Sequence, residues 1–271
     1  MRTGNTGMKP MEVCWVLYDV GNSAFVLLVS TILPIYFHYL AGLSGITEVD
    51  AMAYWGYASS AATLAVAVLG PVLGTMADTK GYKKPIFTIC MMTGVIGCAA
   101  LALPRSWVLF LAVFVIARVG YSASLIFYDA MLSDVTEPER MDQVSSQGYA
   151  WGYLGSCIPF VVSLGLVLGS GAMGISMEQA MGGAFVLNAA WWLLVTLPLL
   201  KRYRQVHGSE RREHPVRESF CRLGKVLGDI RQNRKVMWFL LACFFYIDGV
   251  YTIIDMATSY GSAIGLCSEG L

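Results

Sequence analysis

Seven runs of roughly 20 apolar residues, at about 13–39, 53–77, 85–104, 107–131, 144–168, 182–200 and 236–257, constrain this chain most. A helix needs about 20 such residues to cross the roughly 30 Å hydrocarbon core of a bilayer. Lipid offers no partner to a backbone N–H or C=O, so runs of this length must close their hydrogen bonds within helices. Only 14% of the residues are charged, against about 25% in an average soluble domain. The expected fold class is therefore an all-α, multi-pass integral membrane protein in contact with a lipid bilayer.

Basic residues orient the spans. With the N-terminus in the cytoplasm, Arg2, Lys9, Lys80, Lys83, Lys84, Arg140 and the stretch from Lys201 to Lys235 all fall inside, and the outer loops hold only Arg105. Positive charge close to the end of a span keeps a loop in the cytoplasm. An N-in, C-out topology follows, in the plasma (inner) membrane if the source is bacterial. The first apolar run is too long for a cleaved signal segment and is expected to stay as a helix.

Other residue types narrow the chemistry. The seven cysteines are odd in number and scattered through apolar runs, with no CxxC pair and no Cys/His cluster. They read as small buried side chains. His38, His207 and His214 form no HExxH or similar constellation, which argues against an enzyme. No metal site or cofactor is expected. Trp107, Trp191, Trp192 and Trp238 read as interfacial or lipid-facing anchors. Gly148, Gly152, Gly155 and Ser156 give the fifth run a strip for close helix packing, as Gly70 and Gly74 do for the second. Pro34, Pro71, Pro159 and Pro198 can kink their spans. Thr136-Glu137-Pro138-Glu139 has capping-box spacing ahead of the fifth run.

Ionisable residues enter the apolar runs in only three places: Asp19 in the first, Arg118 and Asp129 in the fourth, Asp248 and Asp255 in the seventh. A charge deep in a bilayer costs a few kcal/mol or more and is turned toward a wet cavity or an opposite charge. The period of three implies three-helix repeats, each lining one cavity with its first helix. Tyr18, Asp19 and Asn22 lie within one turn of the first run, Asp19 about 10 Å along it at ~1.5 Å per residue. Either Asp19 is wetted from inside or it snorkels or bonds a neighbouring helix. Arg118 lies about 16 Å from the outer end of its run, followed by Tyr121. Arginine keeps its proton in proteins, so Arg118 needs an anionic substrate or a carboxylate such as Asp19 or Asp248. Asp248, Thr252 and Asp255 form one stripe, with Asp248 about 18 Å inside and level with Arg118. A buried carboxylate favours its protonated form unless paired. Asp248 is thus expected to alternate between Arg118 and a proton.

The turn Gly74-Thr75-Met76-Ala77-Asp78-Thr79-Lys80-Gly81-Tyr82-Lys83-Lys84 resembles the signature loop of the major facilitator superfamily, with Thr79 where a basic residue is usual. The stretches from Trp15 to Phe25, Phe127 to Asp134 and Tyr246 to Val250 resemble its vacuolar-effluxer-like branch, which includes yeast vacuolar amino-acid effluxers and bacterial relatives. Asp129 and Ser133 depart from the Asn and Pro usual there, and Val20-Gly21 from Trp-Ala. The resemblance implies two six-helix halves and secondary active transport of a small solute, with amino-acid efflux as the activity it suggests. It makes Gly74, Asp78, Gly81, Lys83 and Lys84 a conformational-switch loop.

Three regions are then expected. Residues 1–200 form an N-terminal six-helix half, 201–235 a basic cytoplasmic loop, and 236–271 the first helix of an incomplete second half. In the loop, Phe220, Leu223, Leu227 and Ile230 recur at helical spacing among basic residues, as in an amphipathic helix resting on anionic lipid. Tethering to the bilayer argues against nucleic acid. The resemblance implies a chain truncated after its seventh helix. The alternative is a transport-incompetent fragment or a half-size membrane protein that needs a partner chain.

Overall fold

A computed structural model describes residues 7–210, 221, 224–225 and 228–264. Among these, every long element is a helix: α1 Pro10–Leu43, α2 Glu48–Asp78, α3 Lys83–Ala100, α4 Trp107–Val135, α5 Met141–Leu168, α6 Met177–Arg202 and α7 Arg234–Ala263. Six are long and apolar enough to cross a membrane. The other, α3, has 18 residues and opens on Lys83 and Lys84, which dilute its apolar character. The turns alternate between two ends of the bundle: 79–82, 136–140 and 203–209 at a loop end, and 44–47, 101–106 and 169–176 at a far end. The expected amphipathic face of Phe220, Leu223 and Leu227 lies outside the described residues.

Local chemistry sets the helix limits. Pro10 opens α1, and its first turn closes where the Lys9 N–H donates to Glu12 Oε2 at 2.7 Å. Thr47 caps α2 by accepting from the Asp50 N–H at 3.1 Å. Ser176 and Gln179 form a reciprocal capping box on α6. Thr136 does not act as the cap expected of it. Its hydroxyl donates to Glu12 Oε1 at 2.7 Å, and Pro138–Arg140 makes a 3₁₀ turn into α5. In α1 a π-helical turn spans Leu28–Ile32 just before Pro34. Proline has no N–H, so the carbonyl four residues earlier, on Ser30, loses its helical donor.

The six-helix bundle is assembled from close approaches. α1 packs against α5 and α6, α4 against α2 and α3, and α3 against α6. A Cβ added at Gly120 of α4 would stand 2.6 Å from the Gly94 nitrogen of α3, and one at Gly97 would stand 2.7 Å from Ala117 Cβ. Gly155 meets Val20 at 2.4 Å in the same sense. Small residues let helices come close enough for dispersion to hold them where lipid removes the hydrophobic drive. At the far end, Trp55 stacks on Phe114 with centroids 4.4 Å apart, and Tyr36 meets both Phe110 and Phe185 edge-on.

Two packing expectations change. Nothing lies within 4 Å of a Cβ placed on Gly74, and Gly70 meets only Ile126 at 4.0 Å. The strip on α2 therefore seats no described helix, and Gly94, Gly97 and Gly120 carry the close contacts. Trp192 is not an anchor in lipid but wholly buried, over Gly94 and Gly21 and stacked on Phe25. Its neighbour Trp191 points about 100° away around the helix and donates to the Val20 carbonyl at 3.3 Å. Gly120→Ala is expected to cost about 1–3 kcal/mol because backbone must move, whereas Gly74→Ala stays within about 0.5 kcal/mol of the parent. Thermal melts of the two variants in one detergent test the contrast; equal melting would refute it.

Candidate functional site

Among the described residues, α7 meets the bundle mainly toward the far end, on α2 and on the π turn and outer part of α1, with Arg118 of α4 reaching it as well. Its buried residues are small or polar: Thr258, Ser259 and Gly261. The Thr258 hydroxyl donates to the Ser30 carbonyl, the group that Pro34 leaves without a helical donor. His38, 5% exposed, bonds Ser259 Oγ at 2.7 Å through Nε2 and Glu48 through Nδ1. Trp55 Nε1 donates to the Asp255 carbonyl at 3.1 Å.

Among these contacts lies one ion pair between α4 and α7. Arg118 Nη2 donates to Asp255 Oδ2 at 2.8 Å and Oδ1 at 3.1 Å, with the two side chains 14% and 17% exposed. The expected partner, Asp248, is exposed and two turns away on the same helix. The reason is depth. α7 has 30 residues, about 45 Å at ~1.5 Å each, so measuring inward from its start puts Asp248 level with an arginine that it does not reach. Counted from the far end at ~1.5 Å per residue, Asp255 lies about 12 Å in and Arg118 about 16 Å, a difference that the long arginine side chain spans. Thr252 is exposed as well.

On α1 the candidates differ in setting. Tyr18 is 0% exposed; its hydroxyl bonds Ser124 Oγ at 2.5 Å and its ring meets Phe87 edge-on. Asn22, 2% exposed, donates to the Tyr18 carbonyl at 3.1 Å and to Asp19 Oδ1 at 3.4 Å. Asp19 is half-buried against α5, where Cβ atoms on Gly148 and Gly152 would lie 3.3 and 3.2 Å from its Oδ2. Tyr121 is half-buried beside Phe25 and Trp192. Asp19, Arg118, Tyr149 of α5 and Tyr251 of α7 all stand within electrostatic range of its hydroxyl. Asp129 is exposed on α4, near Asp19.

The loop end carries a second constellation. Asp134, at the end of α4, is 0% exposed and accepts from Lys83 Nζ at 2.8 Å, from the Tyr203 hydroxyl, and from the backbone N–H groups of Val206 and His207 at 3.1 and 2.6 Å. Burial, and then the Asp134 carboxylate beside it, holds the Tyr203 phenol above its ordinary range. Lys84 Nζ donates to the Tyr203 carbonyl at 3.1 Å. Segment 203–209 laces the turn: the Ser209 N–H donates to the Asp78 carbonyl at 2.7 Å and the Lys80 N–H to the Ser209 carbonyl at 3.0 Å. Gly81, at φ +81°, gives its N–H to Gln205 Oε1 at 2.9 Å. A left-handed φ favours glycine there. Thr79 is buried and bonds Thr75 in its own helix. The Asp78 carboxylate is exposed. Of the five residues expected in the switch loop, Gly81, Lys83 and Lys84 are thus tied down, Asp78 is held through its backbone carbonyl with its side chain exposed, and Gly74 makes no close contact.

Sequence reasoning missed Asp134 as the hub, and also Glu12, which is fully buried beneath Arg140 Nε and Nη2 at 3.0 and 2.8 Å. The available signal was opposite charge at the same end of neighbouring spans. Among the described residues, no group of three or more His, Cys, Asp or Glu could hold a metal ion.

An all-helical bundle, a laced basic turn and a deep ion pair on the next helix define a multi-pass membrane protein of the major facilitator type. The family described as "Vacuole effluxer Atg22 like" matches residues 8–264, and the chain belongs to it. The chain is 43% identical over 265 residues to an uncharacterized MFS-type transporter, YxiO, of Bacillus subtilis (strain 168). That match covers 96% of the chain and 62% of the relative, so the chain spans less than two thirds of that protein's length.

Proposed function

We propose that the chain supplies the first six helices, the basic connecting segment and the seventh helix of a secondary active transporter for a small solute. The observation that carries this reading is the Arg118–Asp255 pair. It joins the bundle to α7, so that breaking and remaking one contact can couple a solute or proton to movement. In this reading 1–200 is one half, 201–235 the connector and 236–271 the start of the second half. The loop end faces the cytoplasm: Lys80, Lys84, Arg140, Lys201, Arg202 and Arg204 lie there, and Arg105 at the far end. Anionic lipid is the partner of the connector's basic residues. The family supports efflux, with amino acids as the solutes to try first. Asp255, not Asp248, is the carboxylate that exchanges Arg118 for a proton.

Proteoliposomes holding the chain as part of a full-length transporter, loaded with labelled amino acids, test this with and without a proton gradient. Gradient-driven movement that Asp255→Asn or Arg118→Gln reduces at least about tenfold is expected, since each removes more than about 1.4 kcal/mol of a coupled contact. Movement indifferent to Asp255→Asn would remove the coupling role. A second reading, a membrane subunit that transports only with a partner chain, is favoured by the loop half of α7, where Phe239, Phe244 and Tyr246 are more than 60% exposed. Transport that appears only after a second chain is added would establish it.

A further inference from the structure

Of the polar bonds that seat α7 at the far end, one can change with protonation. The Thr258 bond to the Ser30 carbonyl and the Trp55 bond to the Asp255 carbonyl join groups that do not titrate. The third joins His38 Nε2 of α1 to Ser259 Oγ of α7 at 2.7 Å. His38 is 5% exposed and Ser259 0%, yet the ring lies only about 8 Å of helix from the end of α1 at Leu43. Glu48, the first residue of α2, contacts Nδ1 while its side chain stays 52% exposed. It connects the buried ring with water at that end.

The bonding suits one protonation state. An ionised carboxylate only accepts, so Nδ1 carries its proton toward Glu48, and a neutral ring leaves Nε2 to accept from the Ser259 hydroxyl. Ser259 makes no other side-chain bond among the described residues. Thr63, Thr88 and Thr196 turn their hydroxyls back to the carbonyl four residues earlier, a common resort of helical hydroxyls, but Ser259 does not. Its own such carbonyl, on Asp255, already accepts from Trp55 at 3.1 Å. A doubly protonated ring would donate from Nε2, force Ser259 to accept, and strand the hydroxyl proton where no water reaches it. Glu48 does not offset this, since α1 and α2 hold it beside His38 whether or not α7 is seated. The other charged or titrating groups around the ring are Asp255 of α7, one turn inward and paired with Arg118 of α4, and Tyr39 and Tyr260, the sequence neighbours of His38 and Ser259.

We infer that His38 is a proton-binding site that governs this joint: the neutral ring holds α7 through Ser259, and a proton taken up at Nε2 releases it. Histidine is the side chain that changes charge between about pH 5 and 8. Above that range the Ser259 bond is fully available to seat α7, and it is lost as the pH falls and Nε2 gains its proton. The site is separate from the Arg118–Asp255 pair and stands without the transporter reading. With the loop end in the cytoplasm, it would make the joint answer to acidity on the outer side.

The test uses the chain in nanodiscs with nitrogen-15 in its three histidines, whose ring signals report protonation and tautomer; His38→Gln identifies the signal of His38. Seating is read as the distance between nitroxides on cysteines at Leu43 and Ile264, both exposed at the far ends of α1 and α7, in a chain whose native cysteines are alanine. At about pH 8 the ring should be neutral with its proton on Nδ1 and α7 seated. Toward about pH 5 the ratio of parted to seated α7 should rise about tenfold or more. His38→Gln should flatten that profile. Ser259→Ala should loosen α7 at the higher pH and hardly at the lower, because only the neutral ring receives the hydroxyl's proton; this arm decides the matter if His38→Gln does not fold. A charged ring with α7 seated at the higher pH, a distance indifferent to pH, a profile that survives in His38→Gln, or equal loosening by Ser259→Ala at both ends of the range would each overturn the inference.

Discussion

Arg118→Met is expected to loosen α7 from the bundle by about 3–5 kcal/mol, the usual cost of stripping one partner from a buried ion pair. Asp255 would be left 17% exposed with its charge unmatched. The double variant Arg118→Met/Asp255→Leu should recover much of the loss, since removing both charges also removes their desolvation penalty. Docking can be read by cross-linking cysteines placed at Gly56 and Met256, since a Cβ added at Gly56 would lie 3.6 Å from Met256 Cε across the interface. The single variant should cross-link poorly and the double variant well. Equal yields in the parent and both variants would mean that the pair does not hold the helix.

Asp134→Ala should have an effect of similar size at the other end. It strands Lys83, 4% exposed, and deprives the Tyr203 hydroxyl and two backbone N–H groups of their acceptor. A loss of about 3–5 kcal/mol follows, or on the order of 10 °C in melting temperature for a chain of this length. Segment 203–209 should also become open to protease. The control is Glu137→Ala. Glu137 pairs with Lys9 at 2.8 Å, but the partners are 67% and 48% exposed, and such pairs contribute about 0–1 kcal/mol. If the two variants melted alike, Asp134 would not be the hub.

The spans were legible because bilayer thickness imposes a length, and length survives translation into one dimension. Arg118 was legible for the same reason: a lone guanidinium in an apolar run requires a partner. Which carboxylate answers it was not, because that depends on where α7 begins and on which end of α7 touches the bundle. Tyr18 shows how little nearness in sequence says about direction. It neighbours Asp19 in sequence but points about 100° away, into contact with Ser124 and Phe87. Asp134 and Lys83 lie 51 positions apart, and only tertiary structure brings them together. The glycines of α5 were correctly read as a site of close approach, but nothing in their spacing said that a carboxylate rather than a helix backbone would come near.

The surface on which α7 rests has a mechanical consequence. A joint built of Thr258, Ser259 and Gly261 exposes little oily area when it parts, and water can replace each of its polar bonds. Pro34 leaves the Ser30 carbonyl without a helical donor whether or not Thr258 is seated on it, so separation breaks no turn of α1. Leucines in those positions would grip harder and release badly. Such a hinge can open and reseat repeatedly without either helix having to melt.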